Sequence, residues 1–177
     1  AFTPDPEIFG KSTYREPHVL RRLRFYAWLN AGLTLRYNGQ SIASENGLRD
    51  LIAEETDGEQ LYPPFHFRDT LLELALVHTN RFSEDYFSFV NGQFTADGGT
   101  HLSAFREGVL KAVNEFAKGK FDGEDVREGL IGAIAIRLKE PLFESQTKNK
   151  LGNAEIRAPL VQQVRDVVTD LLHREPA

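Results

Sequence analysis

Residues 130–138 read Leu-Ile-Gly-Ala-Ile-Ala-Ile-Arg-Leu, and no other stretch limits the fold so tightly. A continuous apolar run rich in Ile and Ala fits a buried strand rather than a half-solvated one, which would alternate. A buried strand needs other strands beside it and helices over it. After it come Glu140-Pro141 and a polar stretch, residues 143–153, reading Phe-Glu-Ser-Gln-Thr-Lys-Asn-Lys-Leu-Gly-Asn. Pro141 and Gly152 bracket that stretch as a loop. Within it Gln146 and Lys148 lie two residues apart, so in extended backbone both side chains leave the same face. An ammonium beside an amide suits a phosphate oxygen. On spacing alone, a polar loop carrying Lys148 and Lys150 is more simply read as solvated.

The remaining elements follow from periodicity. Residues 2–6, Phe-Thr-Pro-Asp-Pro, hold two prolines in three positions and read as extended chain that cannot be a central strand. From about Tyr14, Val19, Leu20, Leu23, Tyr26, Ala27 and Asn30 recur at helical spacing, with Gly32 placed to stop the helix. Arg21, Arg22 and Arg24 read as its solvated face. Residues 33–37 alternate as a strand running into Asn38-Gly39, a hairpin-turn signal. Residues 45–55 read as a helix, with Ser44 as its cap and Leu48, Leu51 and Ile52 inward. Residues 70–79 and 86–91 read as strands, and the polar link 80–85 predicts that they pair antiparallel. Asp97-Gly98-Gly99-Thr100-His101 reads as a turn feeding a helix, with Thr100 as N-cap and Phe105, Val109, Ala112, Val113 and Phe116 as the apolar stripe. A short helix at 122–128, the buried strand and a last helix carrying Leu160, Val164, Val168 and Leu171 complete the order, with Pro159 in its first turn. The sum is an α+β domain with helices packed on a mixed β-sheet and no internal repeat.

Composition excludes several classes of function. The chain has 177 residues, no Cys and scattered histidines, so disulfides and thiolate zinc sites are ruled out and no histidine pair has metal-ligand spacing. The lack of Cys is compatible with a cytosolic protein. No apolar run approaches the roughly 18 residues that span a bilayer. A net charge of −5 argues against a surface built wholly for nucleic acid, while local basic patches stay open. The chain lacks a Gly-x-x-x-x-Gly-Lys phosphate loop, a nucleophile elbow and an evident carboxylate pair. Gly98-Gly99 before a helix could approach an anion, but a plain sharp turn is the simpler reading. His101 reads as a packing or capping residue. The absence of Met and the abrupt Ala1 start suggest a piece of a longer polypeptide.

Five stretches, in order, resemble the B subunit of bacterial type IIA topoisomerases, that is, DNA gyrase and topoisomerase IV. They are Phe2-Thr3-Pro4-Asp5; Arg22-Leu23-Arg24 with Leu29-Asn30-Ala31-Gly32; residues 97–106, Asp-Gly-Gly-Thr-His-Leu-Ser-Ala-Phe-Arg; residues 124–130, Glu-Asp-Val-Arg-Glu-Gly-Leu; and residues 143–152. The resemblance implies a transducer domain with a ribosomal-protein-S5 domain-2-like fold over residues 13–175. Residues 1–12 would then be the tail of a preceding GHKL-type ATP-binding domain. It also implies that Lys148 reaches the ATP γ-phosphate across a domain boundary with Gln146 assisting, and that ATP and Mg2+ belong to the full-length subunit. No catalytic or metal-binding residue is expected within these 177 positions, and the isolated fragment is expected to be inactive. The implied partners are a DNA duplex passing through a gate, met without sequence reading, a topoisomerase A subunit, and a second B subunit within an A2B2 enzyme. The implied location is cytoplasmic, without a membrane. The resemblance leaves gyrase and topoisomerase IV as alternatives, and Tyr37-Asn38-Gly39-Gln40 looks slightly more like the latter. Outside it stand a non-enzymatic S5-like nucleic-acid-binding module and the transducer of another GHKL ATPase such as MutL.

Overall fold

A computed structural model describes residues 4–174. The chain runs α1 (Pro6–Phe9), α2 (Glu16–Leu29), the hairpin β1 (Thr34–Tyr37) and β2 (Gln40–Ala43), then α3 (Leu48–Thr56). Next come β3 (Phe65–Arg68), β4 (Leu72–His78), β5 (Asp85–Val90) and β6 (Gln93–Phe94). It ends with α4 (Thr100–Ala117), α5 (Gly123–Arg127), β7 (Leu130–Ile136), a single 3-10 turn (Ala154–Ile156) and α6 (Arg157–Arg174).

The apolar run forms the centre of the main sheet. That sheet has the order β3-β4-β7-β5-β6, with β7 antiparallel to β4 and parallel to β5. Successive residues of β7 face opposite layers. Leu130, Ile134 and Ile136 pack with Phe105, Val109, Leu160, Val164 and Val168 of α4 and α6. Ile131 and Ala133 pack with Trp28, Leu48, Leu51 and Ile52 of α2 and α3. Ile131 and Ile134 are essentially solvent-free, and burying a side chain of that size contributes about 1.5–3 kcal/mol. Gly132 is small because Phe105 lies over it: a β-carbon there would stand 2.7 Å from the ring. The result is an α+β fold with helices packed on a mixed sheet, as the patterning predicts, and the structure adds that they cover both of its faces.

Several expectations are corrected. β4 and β5 do not pair with each other, because β7 lies between them. The most apolar strand gains most from being flanked and covered, so it takes the central place. The six-residue link 79–84 is long enough to step over one strand, a distance of about 10 Å. Helix α2 buries Phe25, Ala27, Trp28 and Leu29, while Tyr26 is 39% exposed. Phe25 turns the helix by meeting Phe89 edge-on at 5.3 Å, and it displaces the stripe that spacing selected. Arg21, Arg22 and Arg24 are exposed as predicted. Ser44 lies outside α3. It donates to Asp50 (2.7 Å) and accepts from the Gly47 amide (3.0 Å), while the amide of Leu48 donates to Glu73 of β4 (2.8 Å). Asp5 is extended, as read, but Pro6 is not: Asp5 accepts from the Glu7 amide and caps the single turn α1, which Pro6 leads. The matching residues Phe2 and Thr3 lie outside the described residues. β2 follows from the Asn38-Gly39 hairpin signal, whereas β3 and β6, four and two residues long, are strands that periodicity did not show.

Candidate functional site

The loop after β7 closes on itself and then onto the start of α4. Phe143 and Leu151 bridge antiparallel. The Glu144 amide donates to the Lys150 carbonyl (3.0 Å) and the Gly152 amide to that of Leu142 (2.8 Å). Asn153, 4% exposed, ties the neck together. Its Oδ1 accepts from the Leu142 amide (2.7 Å), and its Nδ2 donates to the Glu140 carbonyl (3.2 Å) and to Glu155 (2.7 Å). Leu151, 1% exposed, then runs parallel to Gly99. Its amide donates to the Gly98 carbonyl (3.1 Å), and its carbonyl accepts from the Thr100 amide (3.0 Å). The approach leaves no room for a side chain on Gly99, whose φ is +124° and whose β-carbon would stand 2.3 Å from the Leu151 oxygen.

This contact joins residues 97–101 and residues 143–152, stretches that sequence alone keeps far apart. It also corrects the N-cap reading of Thr100 and agrees with the plain-turn reading of Gly98-Gly99. Thr100 is the first residue of α4 rather than its cap, and its hydroxyl donates to the Leu151 carbonyl (3.3 Å). The Thr100 amide, which an anion could have used, is already taken by Leu151. His101 is a packing residue, as predicted: it is fully buried, its Nε2 lies 3.1 Å from the Thr95 hydroxyl, and burial pushes its pKa down to about 4. It is therefore neutral near pH 7. Thr95 continues the bond chain to Ser88 of β5 at 2.7 Å.

Gln146 and Lys148 stand at the opposite end of the loop from this anchor, and both are exposed. The backbone there is not extended. The Lys148 amide donates to the Ser145 carbonyl (3.0 Å), so residues 145–148 form a tight turn with Gln146 at its second position. The alternation argument for a common direction therefore does not hold, and proximity within one turn replaces it. Lys148 has φ +57°, a left-handed conformation that costs a non-glycine residue about 1–2 kcal/mol. Lys150 is paired with Glu144 at 3.1 Å, whereas Lys148 has no carboxylate within ion-pairing distance among the described residues. The loop thus presents one uncompensated ammonium, with an amide in the same turn, on a neck anchored by the buried Leu151 and Asn153. That arrangement suits an oxyanion brought from outside the domain.

Signals beyond these two residues are weaker in the sequence. Asn153 reads like any loop asparagine, and Leu151 like a chance apolar residue, although a buried Leu in a polar loop is the usual mark of an anchor. Among the described residues there is no cluster of three or more potential metal ligands and no helix long and apolar enough to cross a membrane.

The family model for DNA gyrase B matches residues 42–177. The B subunit of DNA topoisomerase 4 from Borreliella burgdorferi is 45% identical over 175 residues, covering 98% of this chain and 29% of the relative. The B subunit of DNA gyrase from Clostridium acetobutylicum is 33% identical over 198 residues, covering 99% and 31%. The chain therefore spans less than a third of the length of these relatives. Among solved structures, the 43K ATPase domain of Thermus thermophilus gyrase B, in complex with an aminocoumarin, superposes with a TM-score of 0.83 at 32% identity, over 99% of this chain and 53% of that one. The B-subunit of the Myxococcus xanthus DNA gyrase, at 21% identity and a TM-score of 0.85, shares the fold. With a family match over most of its length and a relative at 45% identity, the chain belongs to the DNA gyrase B family.

Proposed function

We propose that residues 13–175 are the transducer segment of an ATP-dependent type IIA DNA topoisomerase B subunit, with residues 1–12 the tail of an ATP-binding domain before it. Lys148 completes the γ-phosphate site of that domain, and Gln146 supplies an amide beside it. The observation that carries this reading is the ammonium of Lys148: exposed, without a carboxylate partner among the described residues, and strained at φ +57° on a loop anchored by the buried Leu151 and Asn153. Strain of this kind collects at functional sites and persists where the surroundings fix it.

Bound ATP and Mg2+ would supply the phosphoryl group and its counter-charge. The part played by this chain is electrostatic and mechanical. A lysine on a turn is a point charge that holds a phosphate oxyanion and releases it when the negative charge departs. Because Leu151 joins the loop to the start of α4 and Asn153 ties it to the link that follows β7, a pull on Lys148 is passed to the body of the domain rather than lost in a slack loop. Two bodies joined through such a contact rotate as a hinge between nucleotide states. In a B-subunit dimer working with an A subunit, that rotation would move a gate for a DNA duplex, changing topology by supercoiling, relaxation or decatenation.

The test is Lys148→Ala in the complete subunit. Loss of one preorganised donor to a developing oxyanion lowers turnover on the order of 10²-fold, so ATPase and strand passage should fall together while the circular dichroism spectrum is unchanged. Wild-type steady-state ATPase in that variant would remove the γ-phosphate role.

A further inference from the structure

A second site lies away from the Lys148 loop. A cleft of about 520 Å³ opens where the carboxyl ends of the parallel strands β5 and β7 meet the β3–β4 turn and α2. Three guanidinium groups line it from three separate elements: Arg22 of α2, Arg68 at the end of β3 and Arg137 just beyond β7.

Among the described residues Arg24, Arg81, Arg106 and Arg157 each sit on a carboxylate, whereas Arg15, Arg21, Arg36 and Arg49 do not. Two of the three cleft arginines belong to the second group. Arg22 has only neutral partners, at the long distances of 3.4 Å to the Tyr26 hydroxyl and 3.3 Å to Gln93. Arg137 donates one bond, to the Thr70 carbonyl at 3.1 Å. Neither has a carboxylate within ion-pairing distance among the described residues. Arg68 reaches Glu73 through Nε alone, at 3.6 Å.

The two carboxylates that border the cleft are committed to the fold. Oε1 of Glu73 accepts from the Leu48 amide (2.8 Å) and lies 3.0 Å from His66 Nε2. Oδ1 of Asp69 accepts from the amides of Leu71 and Leu72, each at 2.7 Å. Three guanidinium groups against the two carboxylates Asp69 and Glu73 leave the cleft with one surplus positive charge, on a chain whose net charge is −5. A planar guanidinium offers paired N–H donors that match the spacing of two oxygens on a tetrahedral oxyanion.

We infer that this cleft binds a phosphate-class oxyanion between Arg22 and Arg137, with Arg68 as the third donor. The oxyanion can be free phosphate or pyrophosphate, or a phosphodiester of a nucleic-acid backbone. The chemistry at the guanidinium groups is the same for each. Nothing in the inference depends on the Lys148 loop, so the two readings stand or fall separately.

The experiment is a heteronuclear NMR titration of the 15N-labelled chain, following the arginine side-chain and backbone signals. The added ligands are sodium phosphate, sodium pyrophosphate and a short mixed-sequence DNA duplex, each matched in ionic strength against sodium chloride. The expected result is saturable shifts at Arg22, Arg68, Arg137 and the 91–93 turn that chloride does not produce. They should weaken at least about tenfold in the double variant Arg22→Gln/Arg137→Gln, since hydrogen bonds to charged groups contribute roughly 1.5–3 kcal/mol each. The double variant's other signals should stay in place, which shows that it is folded. Saturation by duplex at far lower concentration than by phosphate identifies a nucleic-acid backbone as the source, and saturation by the small anions alone identifies a free anion. Shifts absent from the cleft with all three ligands, equal in chloride, or undiminished in the double variant would overturn the inference.

Discussion

At the scale of single residues, Lys148 and His101 carry opposite kinds of tension. Lys148 holds a left-handed backbone that glycine adopts freely. Lys148→Gly should therefore leave stability unchanged or raise it by about 1 kcal/mol, while ATPase of the full subunit falls as in the alanine variant. A thermal melt together with an ATPase assay separates the two effects, and parallel losses of both would show that the lysine is structural. His101 is strained electrostatically. Its ordinary pKa of 6.5 falls to about 4 in the fold because burial disfavours the charged ring. Below pH 6.5 the unfolded chain takes up the proton and the folded chain does not. Stability is thus complete above 6.5, declines as the pH falls towards 4, and loses nothing further from this residue below that. The gap corresponds to about 3 kcal/mol at most. Urea midpoints measured from pH 7 to pH 4 should fall, and they should fall less steeply in His101→Gln.

Among the elements, α3 depends on a residue from another part of the chain. Its first amide is capped by Glu73, a carboxylate that is the second residue of β4 and only 7% exposed. His66 and Arg68 of β3 approach the same carboxylate. Glu73→Ala should cost about 3 kcal/mol, because it strands the Leu48 amide and leaves two basic groups without their partner. Hydrogen exchange should quicken first in α3 and β3, and exchange that quickened equally everywhere would contradict a local cap. Sequence patterning placed α3 and its inward face correctly, and it assigned the cap to Ser44 because the true acceptor lies more than twenty positions away. The same limit explains Thr100, whose place as first helical residue is set by Leu151 across the fold.

For the whole molecule, β7 is the shared member of two apolar layers, so neither layer can loosen alone. Ile131 faces α2 and α3, and Ile134 faces α4 and α6. Ile131→Ala and Ile134→Ala should each lower stability by about 2–5 kcal/mol. Both should shift the same single transition. Trp28, the one tryptophan of the chain, sits in the α2–α3 layer and reports on it directly. Its fluorescence midpoint should move with Ile134→Ala as far as the circular dichroism midpoint does. Separate midpoints would show two independently unfolding layers.

The sequence by itself determined the α+β class, the buried strand (read as 130–138, of which 130–136 pairs), the inward faces of α3 and α6, that of α4 as far as Ala112 but not at Phe116, which is 39% exposed, and the loop that carries Gln146 and Lys148. These depend on composition and on periodicities of two and 3.6 residues, which are local properties of the chain. Tertiary structure alone decided that β7 stands between β4 and β5, which face of α2 is buried, that Glu73 caps α3, and that Leu151 binds the Gly98-Gly99 turn. It also gathered Arg22, Arg68 and Arg137 around one cleft. Each of these is a pairing between distant segments, chosen by competition for the centre of the sheet and by close approach at glycine. A linear pattern holds no term for either.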